Sequence, residues 1–154
     1  MSLQAEANIS IRNARKRDID NIKELIIQSK LNPTALDWRN FLIAESFEGD
    51  FVGCGQIKSH ADGSKELASL AVREPYRGRG IGKSLIEVLI NQNPETLHLM
   101  CQSSMGSLYE IYNFEIIETN EMPTYFRRVS QLPGVLGNLA KQGESLLIMR
   151  RAEL

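Results

Sequence analysis

The chain has 154 residues, 42% of them hydrophobic and 24% charged. That is ordinary globular composition at a length that suits one domain with a real core. A net charge of −1 and the lack of any apolar run of membrane-spanning length argue against a nucleic-acid binder or a membrane protein.

Ile9 and Ile11 alternate with polar neighbours and predict a first strand. Asp18 or Asp20 starts a helix whose face carries Ile19, Ile22 and Ile26, and Pro33 disfavours helix at Asn32. A turn near Asp37 and Trp38 leads to a strand over 41–45. Glu48-Gly49-Asp50 is a hairpin turn, and a strand over 51–58 returns with Gly53 and Gly55 flanking Cys54. Glycines inside a strand predict a bulge or a close backbone approach. Ala61-Asp62-Gly63-Ser64 is the next turn, followed by a strand over 66–72.

The helix after that strand places Ile81, Leu85, Val88 and Leu89 on one face and ends near Asn91-Gln92-Asn93-Pro94. A strand over 96–101 and a helix over 105–112 follow. Asn113 sits where positive φ would stop that helix. A short strand over 115–118, an interrupted helix over 132–141 and an apolar strand over 145–149 complete the chain. No repeat, linker or low-complexity segment divides it, so the expectation is a single α/β domain, 1–154, with a mixed sheet.

Cys54 and Cys101 are too few and too far apart for a metal knuckle, and read as reduced core thiols. No metal is expected. The N-terminal Met-Ser-Leu-Gln-Ala-Glu lacks a signal pattern, which gives a cytoplasmic expectation.

The most informative stretch joins the 66–72 strand to the next helix. Gly78, Gly80 and Gly82 strip side chains from one face of a turn, so that backbone N–H groups can close around an anion at a helix N-terminus. Arg77 and Arg79 add forked donors suited to phosphate oxygens. Spacing separates three phosphate motifs. A Walker A loop would need glycine at position 77, which is Arg77. A Rossmann fingerprint beginning at Gly78 would need glycine at 83, which is Lys83. Arg/Gln-x-x-Gly-x-Gly/Ala fits throughout as Arg77-Gly78-Arg79-Gly80-Ile81-Gly82, five residues after Val72.

This stretch resembles the coenzyme A loop of the GCN5-related N-acetyltransferase (GNAT) family. Leu108-Tyr109-Glu110-Ile111-Tyr112-Asn113-Phe114 is similar to that family's Phe/Leu-Tyr-Glu-Lys-x-Gly-Phe helix end, with Asn113 in place of glycine. The element order also resembles the family's, from first strand to last. The resemblance implies a mixed, mostly antiparallel sheet flanked by helices and splayed at its two central strands. It also implies acetyl-CoA as acetyl donor and no metal. The pyrophosphate would lie on backbone N–H groups of Arg77, Gly78, Arg79, Gly80, Ile81 and Gly82, with Lys83 either assisting or solvated. Leu70 would offer the N–H that polarises the acetyl carbonyl, and Val72 would hold the pantetheine arm. Gln102 stands where many relatives have an asparagine on that arm.

Glu66 is the general-base candidate, against the reading of a solvated strand start. Tyr109 is the general-acid candidate for the leaving thiolate, against a packed core tyrosine. His60, beside a hairpin turn, and His98, inside a strand, read as structural. The resemblance implies a small-molecule or peptide amine as acceptor, with a free amino acid or similar small amine weakly favoured. Trp38, Tyr125 and Phe126 could wall its pocket, and Arg39, Arg127 or Arg128 could bind a carboxylate or stay solvated. A homodimer is left open. The competing class is a catalytically silent acyl-CoA-binding or sensing module.

Overall fold

The computed structural model describes residues 8–153. The N-terminal Met-Ser-Leu-Gln-Ala-Glu, read above for a signal pattern, lies outside them. Seven strands form one mixed sheet in the order β1-β2-β3-β4-β5-β7-β6. They are β1 (Ile9–Asn13), β2 (Phe41–Ser46), β3 (Phe51–Ser59), β4 (Lys65–Val72), β5 (Leu97–Gln102), β6 (Glu115–Ile116) and β7 (Leu146–Arg151). Antiparallel pairing joins β1 to β2, β2 to β3, β5 to β7 and β6 to β7. β4 and β5 run parallel, with Glu66 opposite His98. The helices are α1 (Ile19–Gln28), α2 (Ile81–Gln92), α3 (Gly106–Glu110), α4 (Thr124–Val129) and α5 (Pro133–Lys141).

The described residues divide into two compact units, one within residues 8–58 and 67–93, the other within residues 59–66 and 94–153. In the first, α1 buries Ile22, Leu25 and Ile26 against Phe41, Ile43, Phe51, Cys54 and Ala71, with Leu36 and Trp38 packed on this cluster. The opposite side of β3 meets α2. A Cβ on Gly53 would lie 3.0 Å from the Ala71 carbonyl oxygen, and one on Gly55 3.1 Å from Leu89. The close approach expected of these glycines is therefore met at Gly53 by backbone. α2 buries Ile86 and Ile90 beside the expected Ile81, Leu85 and Leu89, which widens its apolar stripe.

Behind β1 and α1 sits an ion network. Arg12 donates to both oxygens of Asp18, at 2.8 and 3.0 Å, and to Glu45 at 2.8 Å. Asp18 also accepts from the Arg15 N–H at 2.7 Å. The Arg12 guanidinium holds the buried Asp18 carboxyl below its ordinary range.

In the second unit, Ile117, Met122, Phe126 and Ile148 form a core with Met100, Tyr125 and Leu146 against it. Tyr125, Phe126, Arg127 and Arg128, named from sequence as candidate acceptor contacts with no element assigned to them, lie in α4. Its first turn lacks a side-chain cap of its own. The cap comes from the β3–β4 turn: Asp62 accepts the Tyr125 N–H at 2.9 Å and also the Ser64 N–H and hydroxyl. Burial opposes the Asp62 charge, but these hydrogen bonds outweigh it and pull the carboxyl down to about 2. Asn113 stops the α3 segment with φ of 68°, as its sequence position implies.

Candidate active site

β4 does not run straight into the glycine turn. Ser69 interrupts it with φ of 56°. A non-glycine residue there costs about 1–3 kcal/mol and persists only when its surroundings hold it. The Gln56 amide donates to Ser69 Oγ at 2.8 Å, and the Cys54 thiol lies 3.6 Å from the Ser69 carbonyl oxygen. Gln56 is fully buried and donates as well to the Ala35 carbonyl, another residue with left-handed φ (56°). This left-handed residue turns the backbone just before Leu70, so simple two-residue alternation does not carry from Glu66 through to Leu70. Leu70 and Val72 are half-buried beyond it.

A short turn, Glu74–Tyr76, then leads into the loop. Gly78 and Gly80 take φ of 79° and 82°, a geometry that side chains resist, and Gly80 is the N-cap of α2. No acidic residue stands in the first turn of α2, so nothing there competes with an anion for the N–H groups of Ile81, Gly82 and Lys83. The two arginines are partly engaged. Arg77 Nε donates to the Val72 carbonyl at 2.9 Å, which ties the loop to the strand end. The Arg79 guanidinium lies 5.3 Å from the Tyr76 ring centre. Lys83 is exposed.

In the second unit, Glu66 is only 4% exposed, so it is not a solvated strand start. His60 Nε2 lies 2.8 Å from Glu66 Oε1. The His60 ring stacks on Tyr125, with centroids 3.6 Å apart. Burial, and then the Glu66 charge, push the Tyr125 phenol up. The sequence reading missed this grouping of His60, Glu66 and Tyr125. The signal lay in the hairpin turn: once 61–64 is a tight turn, residues just before and just after it are neighbours. His98 is buried, its ring stacked on Phe126 at 5.2 Å, and its Nδ1 has no hydrogen-bond partner. Burial, then Arg150, lowers its pKa.

Tyr109 sits in α3 with Phe114 edge-on, centroids 6.1 Å apart. Burial, then Cys101, raises its phenol to about 12. The proton it carries is thus firmly held through the neutral range. Gln102 is exposed at the end of β5. Ser103, directly after β5, donates its hydroxyl to Glu144 at 2.7 Å. Trp38 packs on the first core with Arg39 over its ring at 4.9 Å, and Arg39 also pairs with Asp37. Arg127 donates to the Met122 carbonyl at 3.0 Å, which anchors it locally. Among the described residues, no cluster of three or more His, Cys, Asp or Glu could hold a metal ion, and no helix is long and apolar enough to cross a membrane.

Residues 37–116 match the family model described as an acetyltransferase (GNAT) domain. An uncharacterized N-acetyltransferase of Chlorobaculum tepidum is 35% identical over 72 residues, which cover 47% of this chain and 38% of that protein. The fold is shared with N-acetylglutamate synthase of Neisseria gonorrhoeae, solved with coenzyme A and N-acetyl-glutamate, at a TM-score of 0.73 and 22% identity over 95% of this chain and 35% of that one. It is shared too with Rv2747 of Mycobacterium tuberculosis, solved in complex with CoA, at a TM-score of 0.71 and 19% identity over 94% and 99% of the two chains. The chain therefore spans little more than a third of the length of the first two proteins. The match covers more than half of the chain, including β4, the glycine turn and the Tyr109 helix, and the chain belongs to the GNAT acetyltransferase family.

Proposed function

We propose that the chain transfers an acetyl group from acetyl-CoA to a primary amine by direct attack in a ternary complex, with residues 1–154 acting as a single domain. The observation that carries this reading is the left-handed pair Gly78 and Gly80 at the acid-free N-terminus of α2, shortly after a β4 that carries the left-handed Ser69. Such a turn presents converging N–H donors and a positive helix end, which suits a pyrophosphate. The donor molecule supplies an activated thioester. Arg77, Gly78, Arg79, Gly80, Ile81, Gly82 and Lys83 hold its phosphates. Val72 offers backbone to its arm, and Gln102 an amide.

The remaining work falls on four tasks of this chain's own groups. The Leu70 N–H, re-aimed by Ser69, stabilises the charge that builds on the acetyl oxygen. Glu66 takes a proton from the acceptor ammonium, directly or through water. Tyr109 gives its proton to the leaving sulfur. Trp38, Tyr125 and Arg127 position a small, amino-acid-like acceptor. The bound N-acetyl-glutamate of the gonococcal synthase supports an acceptor of that kind.

The test is a screen of free-thiol release from acetyl-CoA across amino acids, polyamines, aminoglycosides, arylamines and peptide amines, run beside binding measurements with acetyl-CoA and ATP. Acetyl-CoA binding with thiol release for one class is the expected result. Binding without release for any amine would identify a silent acyl-CoA sensor instead. Preference for ATP would overturn the coenzyme assignment.

A further inference from the structure

The turn between β3 and β4 carries a group that the acetyl-transfer reading leaves unused. His60 directly follows β3, and its Nε2 lies 2.8 Å from Glu66 Oε1. The two side chains are 12% and 5% exposed. The imidazole is clamped on its other sides. It stacks on Tyr125 with 15° between the planes and meets Phe126 edge-on at 5.8 Å. Tyr125 is fixed in turn, because its N–H is held by Asp62.

Burying a carboxylate is costly unless a donor compensates for the lost water, and a hydrogen bond to an ionised oxygen is among the stronger ones available. Packing that immobilises the donor fixes the carboxylate as well. The ionisable groups around His60 are Glu66 from β4, Asp62 from the turn and Tyr125 from α4, while His98 of β5 is opposite Glu66 in the sheet.

We propose that His60 is the positioning residue of the base: its Nε2–H holds the Glu66 carboxylate oriented to take the proton of the acceptor ammonium. This rests on the assignment of Glu66 as base. In the step, one ammonium N–H bond breaks and its electron pair stays on nitrogen, which is then free to attack the thioester carbonyl. The proton forms an O–H bond on Glu66 and leaves to water before the next turnover.

Two acceptor probes without recognition elements isolate the step. Methylamine is an ammonium near neutral pH and needs a base, whereas hydroxylamine is already neutral and does not. His60→Phe keeps a ring against Tyr125 but removes the donor. His60→Gln restores an N–H donor. Thiol release from acetyl-CoA with methylamine should fall about tenfold or more in His60→Phe and recover in His60→Gln, while the hydroxylamine rate stays near wild type. Raising the pH should narrow the methylamine deficit as the amine deprotonates itself. Glu66→Gln should show the same loss, and the double variant should lose no more than either single one.

An unchanged methylamine-to-hydroxylamine ratio in His60→Phe, with the ratio lowered in Glu66→Gln, would overturn the role of His60 alone. An unchanged ratio in Glu66→Gln would remove the base assignment itself. A second readout is independent of turnover. Nitrogen-15 spectra of the imidazole near neutral pH should show His60 protonated at Nε2. A His60 bare at Nε2 overturns the proposal, including where neither probe is turned over.

Discussion

Gln56 donates its amide hydrogen to Ser69 Oγ at 2.8 Å, and so the most strained residue of β4 is held by a fully buried side chain of β3. Replacement of Ser69 tests whether that geometry matters. Ser69→Val puts a β-branched residue at φ of 56° and removes the oxygen that Gln56 uses. Urea unfolding should show a loss of about 1–3 kcal/mol, and acetyl transfer should fall further than stability explains. Ser69→Gly accepts the backbone angle and should retain more of both. Equal activity in the two variants would detach the Ser69 geometry from function.

Gly82 separates binding from folding. A Cβ there would lie 3.8 Å from Val72 Cγ2, an ordinary contact. Gly82→Glu therefore fits, and a carboxylate in the first turn of α2 should leave stability unchanged or raise it by about 0.3–1 kcal/mol. The same carboxylate should abolish the rise in melting temperature that acetyl-CoA gives the wild type. A preserved acetyl-CoA shift in Gly82→Glu would place the pyrophosphate elsewhere.

Tyr109→Phe keeps the ring against Phe114 and deletes the hydroxyl. Loss of a general acid costs roughly 10²- to 10⁴-fold, and it should appear in kcat with coenzyme affinity unchanged. Because burial raises the wild-type phenol to about 12, its deprotonation should not shape the rate profile through neutral and mildly alkaline pH. A near-normal kcat in the variant, measured where chemistry limits turnover, would end the assignment.

The Arg12–Asp18 pair predicts an acid limit to stability. The folded carboxyl is depressed below its unfolded value, about 3.9, so its contribution is complete above that pH and fades as pH falls through the lower folded value. Asp18→Asn should cost about 1–3 kcal/mol near neutrality and flatten the decline of stability below about pH 4. Denaturant titrations at several pH values provide the check, and parallel curves for the two proteins would contradict it.

The glycine turn was legible because its geometry is set locally. Glycine spacing, flanking arginines and the strand-to-helix order all lie within a few residues, and Gly78 and Gly80 take the left-handed angles such a turn needs. Asn113 was legible for the same reason. α4 was not: its six residues lack a cap of their own, and Asp62, sixty-three positions away, supplies it. The setting of Glu66 was hidden too. A charged residue at a strand start reads as solvated until α4 brings Tyr125 and Phe126 onto His60 beside it. Position 69 is a serine, so no glycine announces its left-handed backbone, and Gln56, which holds it, lies thirteen residues away on another strand.

The two hairpin turns should have different tolerances to evolutionary lengthening. At Gly49 the backbone faces open space, and the turn closes only on its own strand ends through Ser46 and Asp50. Extra residues there disturb little beyond the turn itself. The turn at 61–64 is also solvent-facing, yet Asp62 is bonded to the first turn of α4. An inserted residue would shift that oxygen, unseat Tyr125 and loosen His60 and Glu66 together. Loop-length variation among relatives should therefore collect at the first turn and be scarce at the second, although both are surface hairpins.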